Sequence, residues 1–218
     1  MSNELFNRIL TSVIILPILF YATVYSGNYL ILLLILFYFL SIYEIIKNTK
    51  NKLFIFLASV LLILSFYFFY FLRGDTKYSL IVLLWILTST FLSDIGGYTF
   101  GKIFKGKKLT KISPNKTYSG AIGSVILSCL SLPLINSFQV FFFNKLLVNF
   151  LELNFFILTI LISFVCQLGD LFVSFLKRKI KIKNISNILP GHGGILDRID
   201  GLIFVLIFCF LLKLLRLI

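Results

Sequence analysis

The sequence predicts an all-α membrane protein: a polytopic transmembrane helical bundle of about seven spans, with two polar active-site segments on the cytoplasmic side. Its composition is the first indication, because 59% of the 218 residues are hydrophobic and only 13% are charged. Soluble domains carry about 25% charged residues, so the charge here is too scarce to cover a water-facing surface of this size. The second indication is a series of apolar stretches about 20 residues long, the length a helix needs to cross a bilayer.

Seven stretches meet this description in chain order. They are 9–26, 28–46, 53–72, 79–100, 120–142, 148–172 and 201–218. The first is interpreted as a membrane helix and not as a cleavable signal peptide, because it lacks a convincing small-x-small cleavage site. No internal repeat, linker or soluble insertion interrupts the series, so a single membrane domain covering 1–218 is predicted.

The three cysteines, Cys129, Cys166 and Cys209, all lie in apolar stretches, and no pair has the spacing of metal ligands. They are interpreted as small buried apolar residues, and a disulfide framework is not expected.

The net charge of +13 is distributed as expected for a membrane protein and not for a nucleic-acid-binding protein. With the amino terminus in the cytoplasm, most of the 21 Lys and Arg residues fall on the cytoplasmic side, as the positive-inside rule requires. The opposite side keeps Arg73, Lys77, Lys145, Lys213 and Arg216. Because topology alone explains basic loops, the argument for function depends on the acids and glycines.

Only eight residues are acidic, and four of them lie in or beside two polar segments at the ends of apolar stretches. Asp94 lies in FLSDIGGYTFGK, and Asp170 lies in FVCQLGDLFVSFLKR. Ionisable groups at membrane depth are costly, and they usually face a cavity, a partner or an ion. A structural ion pair could explain each acid singly, but four acids among glycines and basic residues favour a functional site.

The second segment begins on a predicted helix. Asp170, Ser174 and Lys177 are spaced to share one helical face, and Arg178 follows directly. These residue types suit the binding of cations and phosphate groups.

The second segment ends in a turn and a new helix. The run PGHGG at 190–194 cannot be regular helix, and its glycines permit close backbone approach to a ligand. It leads into a helix start, which is a favourable anion site. Asp197 and Asp200, three residues apart, can point from one face of that helix.

This set of residues predicts a site for a polyphosphate and a hard cation. Carboxylates without soft ligands favour Mg²⁺, which commonly binds one or two carboxylates together with substrate phosphates. The pattern is neither a Walker A loop nor a dinucleotide-binding fingerprint. Asp170, Asp197 and Asp200 are therefore candidate ligands of such a cation.

Two segments resemble a known family. SFLKR…ILPGHGGILDRID, at 174–200, closely resembles the C-terminal signature of phosphatidate cytidylyltransferases, also called CDP-diacylglycerol synthases. DIGGYTFGKIFKGKKLTKISPNKTYSG, at 94–120, is similar to a second region of that family. The two segments cover about a quarter of the chain. Ser119, Val173 and Asn184 stand where the family pattern has acids, so no acidic function is expected at these positions.

The resemblance implies a Mg²⁺-dependent enzyme of phospholipid biosynthesis that condenses CTP with phosphatidate to give CDP-diacylglycerol and pyrophosphate. It also implies a second, monovalent cation beside Mg²⁺, often a homodimer, and no nucleic-acid partner. The expected location is the bacterial inner membrane, with the active site on the cytoplasmic side. The expected catalytic residues are Asp170, Ser174, Lys177, Arg178, His192, Asp197, Arg198 and Asp200. The expected substrate-binding residues are Asp94, Ser113, Lys116, Thr117, Gly191, Gly193 and Gly194.

Three alternatives stay open at the level of sequence. A related CTP-dependent polyprenol kinase would yield CDP and a phospholipid, and a related cytidylyltransferase would use an ether lipid as acceptor. A transporter would use its acids to conduct ions, but the acids here cluster with glycines and bases instead of lining several spans.

Overall fold

The computed structural model describes residues 13, 17–110, 113, 116–179 and 194–218, and for Asp197 only the backbone. Within these ranges the chain is α-helical, apart from one isolated β-bridge between Lys108 and Thr117. A helical segment at 17–25 comes first. It is followed by α1 (Gly27–Asn48), α2 (Lys52–Arg73), α3 (Lys77–Phe104), α4 (Tyr118–Cys129), α5 (Ser131–Phe143), α6 (Leu153–Lys179) and α7 (Leu196–Leu214). The predicted all-α class is confirmed.

Five helical stretches in the described part of the chain are long and apolar enough to cross a membrane. They are α1, α2, α3, α6 and the combined stretch of α4 and α5. The other two predicted spans are 9–26, which is described only in part, and α7, whose first turn is charged. The protein is thus a polytopic membrane protein with five spans by this criterion, compared with about seven predicted.

The predicted span 120–142 is two helices. The first ends at Cys129, and the second begins at Ser131. Pro133 explains the interruption, because proline has no N–H to donate and its ring clashes with the carbonyl four residues earlier, that of Cys129. Leu130 keeps right-handed helical backbone angles, so the chain bends here without leaving the helical direction altogether.

Helix α3 lies at the centre of the bundle. Its Trp85 is fully buried, and the indole N–H donates to Thr159 Oγ1 of α6 at 3.0 Å. A serine pair, Ser93 and Ser163, joins the same two helices at 2.8 Å between hydroxyl oxygens. Such interhelical hydrogen bonds fix the relative positions of membrane helices, which have little hydrophobic driving force between them.

The crossing of α3 and α4 depends on glycine. A Cβ atom on Gly96 would lie 2.3 Å from the carbonyl oxygen of Gly123, and one on Gly120 would lie 2.7 Å from that of Gly97. Only glycine allows the two backbones to approach this closely. The contact brings the segment that carries Asp94 against the start of α4.

The bundle has two ends with different polar contacts. The site end contains Glu44, Lys116, Asp170, Lys177 and Asp200, which are joined by the contacts described below. The opposite end contains Arg73, Gln139 and Lys213. There, Arg73 Nη2 donates to Val24 O at 2.7 Å, and Lys213 Nζ donates to Phe71 O at 3.1 Å.

Candidate active site

A cavity of about 360 Å³ opens at the site end. It lies between α3, α4, α6 and α7, beside the segment that connects α3 to α4. Seven predicted site residues line it: Asp94, Ser113, Lys116, Thr117, Asp170, Arg198 and Asp200. The fold therefore brings together residues that lie up to 106 positions apart in the chain, from both of the polar segments.

The connecting segment holds Lys116 over α6. It folds back on itself through Leu109 N, which donates to Lys116 O at 2.7 Å, and Tyr118 N, which donates to Lys107 O at 3.1 Å. Thr117 then caps α4, because its Oγ1 accepts from Gly120 N at 3.1 Å. This arrangement directs the Lys116 ammonium to Asp170 Oδ2, 2.5 Å away.

The second ion pair joins α6 to α7. Lys177 Nζ lies 3.2 Å from Asp200 Oδ2, and both residues are buried. The other carboxylate oxygen of Asp200 accepts from its neighbour Gly201 N at 3.0 Å. In contrast, the side chains of Lys116 and Asp170 are 24% and 33% exposed and both line the cavity, although the Lys116 ammonium nitrogen itself is buried.

Asp94 is the third carboxylate of the cavity. It comes from α3, is exposed, and accepts a contact from Cys166 Sγ at 3.4 Å. Three helices therefore each contribute one carboxylate to a single cavity. Their negative charge is balanced in part by Lys116 and Lys177.

These oxygen donors suit the predicted Mg²⁺ by their chemistry. Asp170 and Asp200 line the same cavity, and a cationic ammonium already binds each of them. Among the described side chains, no three His, Cys, Asp or Glu groups form a cluster that could hold a metal ion. The side chain of Asp197 lies outside that description, so the trio Asp170, Asp197 and Asp200 stays a prediction.

Other predicted residues lie outside the cavity lining. Ser174 is half-buried and Arg178 is exposed, and neither lines the cavity. Gly194 is buried just before α7. Gly191, His192 and Gly193 lie outside the described residues, as does the side chain of Asp197.

The sequence analysis did not identify Gln167 as a cavity residue. Its amide donates to Ala121 O at 3.4 Å and to Ser163 Oγ at 3.3 Å, and its side chain lines the cavity. The sequence could have indicated this role, because Gln167 precedes Asp170 by three residues and therefore lies on the same face of α6.

Glu44 is the second residue that the sequence analysis did not identify. It lies on α1, is fully buried, and accepts from Ile195 N at 2.9 Å and from Leu196 N at 3.3 Å. The helix start that we predicted as a phosphate site therefore binds the protein's own carboxylate at these two N–H groups. The sequence could have indicated Glu44 because it is a single acid within an apolar stretch, and such an acid usually has a specific partner.

Comparison with known proteins shows which family the sequence matches. The model of the cytidylyltransferase family matches residues 47–215. The phosphatidate cytidylyltransferase of Bacillus subtilis is 36% identical over 172 residues, which cover 77% of this chain and 61% of that protein. That of Staphylococcus haemolyticus is 42% identical over 147 residues, which cover 66% of this chain and 52% of that protein.

A third relative matches over nearly its whole length. The phosphatidate cytidylyltransferase of Rickettsia conorii is 29% identical over 221 residues, which cover 97% of this chain and 92% of that protein. The chain thus spans about half to three-fifths of the other two relatives and most of this one.

Proposed function

This chain belongs to the cytidylyltransferase family, and we propose that it joins CTP to phosphatidate, giving CDP-diacylglycerol and pyrophosphate. The observation that carries the proposal is the cavity in which Asp170 pairs with Lys116, beside the Lys177–Asp200 pair. The relatives are phosphatidate cytidylyltransferases, and their names suggest the two substrates.

In the proposed reaction an oxygen of the phosphatidate phosphate forms a bond to the α-phosphorus of CTP. The bond from that phosphorus to the bridging oxygen of the β-phosphate breaks, and pyrophosphate leaves with the electron pair. The attacking phosphate is already anionic, so a general base is not required. What the site must supply is orientation and neutralisation of charge.

Two cations of the cavity suit that task. Lys116 and Arg198 line the cavity and would neutralise charge on the two anionic substrates. Lys177 is buried against Asp200, where it would hold this carboxylate in place. His192, Gly191, Gly193 and Gly194 stay proposed contacts of the phosphates on the strength of the family resemblance.

Asp170 and Asp200, together with Asp197, would hold Mg²⁺. When bound there, Mg²⁺ would neutralise charge that develops on the transferred phosphate and on the leaving pyrophosphate. Ser174 would contribute to the same cation and phosphate cradle, and Arg178 would neutralise charge near it. The monovalent cation and the homodimer are proposals that rest on the resemblance alone.

The position of the cavity suits a lipid substrate. Because it lies where membrane helices end, a diacyl lipid can present its headgroup without leaving the bilayer, while CTP enters from water. The excess of basic residues at this end supports a cytoplasmic orientation, where nucleoside triphosphates are available.

An activity assay on two matched variants tests the proposal. We expect purified protein to form CDP-lipid from CTP, phosphatidate and Mg²⁺, and Asp197→Ala to abolish the activity while the protein still inserts. Asp75→Ala is the control, because this acid is exposed in the turn between α2 and α3. Full activity of Asp197→Ala would contradict the assignment of that residue to the metal.

A further inference from the structure

Glu44 is buried and lies outside the cavity, yet it contacts the helix that carries Arg198 and Asp200 of the site. It lies on α1, ahead of the part of the chain that the family model matches. Its two carboxylate oxygens accept from the N–H groups of Ile195 and Leu196, 151 and 152 residues later in the chain. The contact is therefore purely tertiary.

The contact satisfies both partners. A carboxylate without exposure to water in a membrane helix is costly unless donors compensate it. The first N–H groups of α7 lack partners within their own helix, and the positive end of the helix dipole favours a negative charge there. Removing the carboxylate would leave these two buried donors without that acceptor.

The helix start that Glu44 binds leads directly to the site. Within one further turn α7 carries Arg198, which lines the cavity, and Asp200, which lines it and pairs with Lys177. The position of the first turn therefore determines where these side chains lie. A displacement of about 1 Å in such groups can lower a rate about 100-fold.

We infer that Glu44 is a positioning residue for nucleotidyl transfer, which fixes the first turn of α7 so that Arg198 and Asp200 meet the substrates. This inference rests on the proposed function. Ile45 of α1 and Leu196 of α7 belong to one apolar cluster together with Leu62 of α2, and this cluster remains when the carboxylate is removed, so the variants are expected to fold.

The chain offers a matched control on the same helix. Ser41 precedes Glu44 by three residues and is also fully buried. Its hydroxyl has no hydrogen-bond partner among the described residues. Ser41→Ala therefore changes a buried polar group of α1 without removing a hydrogen bond to the described part of α7.

The experiment combines kinetics with hydrogen exchange on the full chain in detergent. We expect Glu44→Ala to lower kcat by about 10–100-fold, the usual cost of losing a group that orients a ligand-bearing element. Glu44→Gln keeps one acceptor oxygen and should lose less, and Ser41→Ala should match the wild type. Peptides that contain Ile195 and Leu196 should exchange faster in Glu44→Ala, while peptides from α3 stay unchanged.

Each other result overturns the inference. If Glu44→Ala has a wild-type kcat although the peptides with Ile195 and Leu196 exchange faster, Glu44 caps α7 but does not affect the reaction. A lower kcat with unchanged local exchange, or with faster exchange throughout the protein, would show that Glu44 acts in another way or only on folding. If Glu44→Ala does not fold, the kcat and the local hydrogen exchange of Glu44→Gln test the inference in its place. A wild-type chain that forms no CDP-lipid would refute the proposed function, whereas the exchange data would still report on the cap.

Discussion

Both ends of the bundle contain buried polar side chains, but the contacts of these side chains differ. At the opposite end, Arg73 and Gln139 bind backbone groups: Arg73 donates to the carbonyls of Thr23, Val24 and Gly74, and Gln139 accepts from Leu147 N and Val148 N at 3.0 Å. At the site end Glu44 also binds backbone groups, but two pairs of oppositely charged side chains, Lys116–Asp170 and Lys177–Asp200, lie beside a cavity.

This difference distinguishes polar side chains that stabilise the fold from polar side chains that could bind a ligand. Carbonyl groups at the end of a helix lack partners within the helix, and Arg73 supplies donors to them. The side chains of Lys116 and Asp170 are partly exposed and line a cavity, so we expect that an anion or a cation can compete for either partner. The burial of a polar side chain therefore does not by itself identify the candidate site. Charged side chains whose partners can be replaced identify it better.

The largest effect is expected from removing the charge of Asp170. Asp170→Asn keeps the shape of the side chain but removes the anion that faces Lys116, and we expect CDP-lipid formation to fall about 1,000-fold. The thermal midpoint in detergent should change little, because the ion pair is partly exposed. Asp75→Asn, at the other end, is the control. If the activity of Asp170→Asn stays within a few-fold of the wild type, the charged pairs at the site end are not functional, and the proposed difference between the two ends is wrong.

The next effect concerns stability at the site end. Lys177→Met leaves Asp200 buried without its ammonium partner, and we expect a loss of about 3 kcal/mol in the free energy of unfolding. Unfolding in detergent measures this change. Adding Asp200→Leu should restore part of the loss, because no charge then stays buried. Equal stability of the single variant and the wild type would contradict the reported pairing.

At the opposite end we expect stability to change without catalysis. Arg73→Met removes hydrogen bonds to three carbonyl groups, and a loss of about 2 kcal/mol in the free energy of unfolding follows. Below the unfolding temperature, kcat and KM should equal those of the wild type. A fall in kcat with unchanged stability would show that this end takes part in the reaction.

The smallest change in stability is expected at Lys116. Because the side chains of this pair are partly exposed, Lys116→Met should alter the free energy of unfolding by less than about 1 kcal/mol. CDP-lipid formation should nevertheless fall strongly, since Lys116 lines the cavity. Lys145 lies between α5 and α6, and Lys145→Met is the control for the loss of a lysine outside the cavity. A large loss of stability with normal turnover would place Lys116 among the structural groups.

The sequence predicted the helices and much of the cavity lining because both depend on local patterns. Apolar length marked the spans, and rare acids beside glycines marked Asp94, Asp170 and Asp200. It did not predict the bend at Leu130, although Pro133 carried the signal, because apolar content continues through the bend.

Tertiary partners were harder to predict. The pairing of Glu44 with Ile195 spans 151 positions, and nothing local to either residue specifies it. The same holds for Lys177, which was expected to complete a cradle for a cation and phosphate and whose contact with Asp200 was not predicted. Residue type indicates the chemistry, but the packing of helices decides which groups meet.

The most direct measurement follows the label of CTP in two parallel reactions of the purified protein with phosphatidate and Mg²⁺. With ³²P at the α-phosphate, label should appear in the chloroform-soluble lipid, and with ³²P at the γ-phosphate it should stay in water as pyrophosphate. Label from the γ-phosphate in the lipid, or none in either lipid fraction, would contradict nucleotidyl transfer in this cavity.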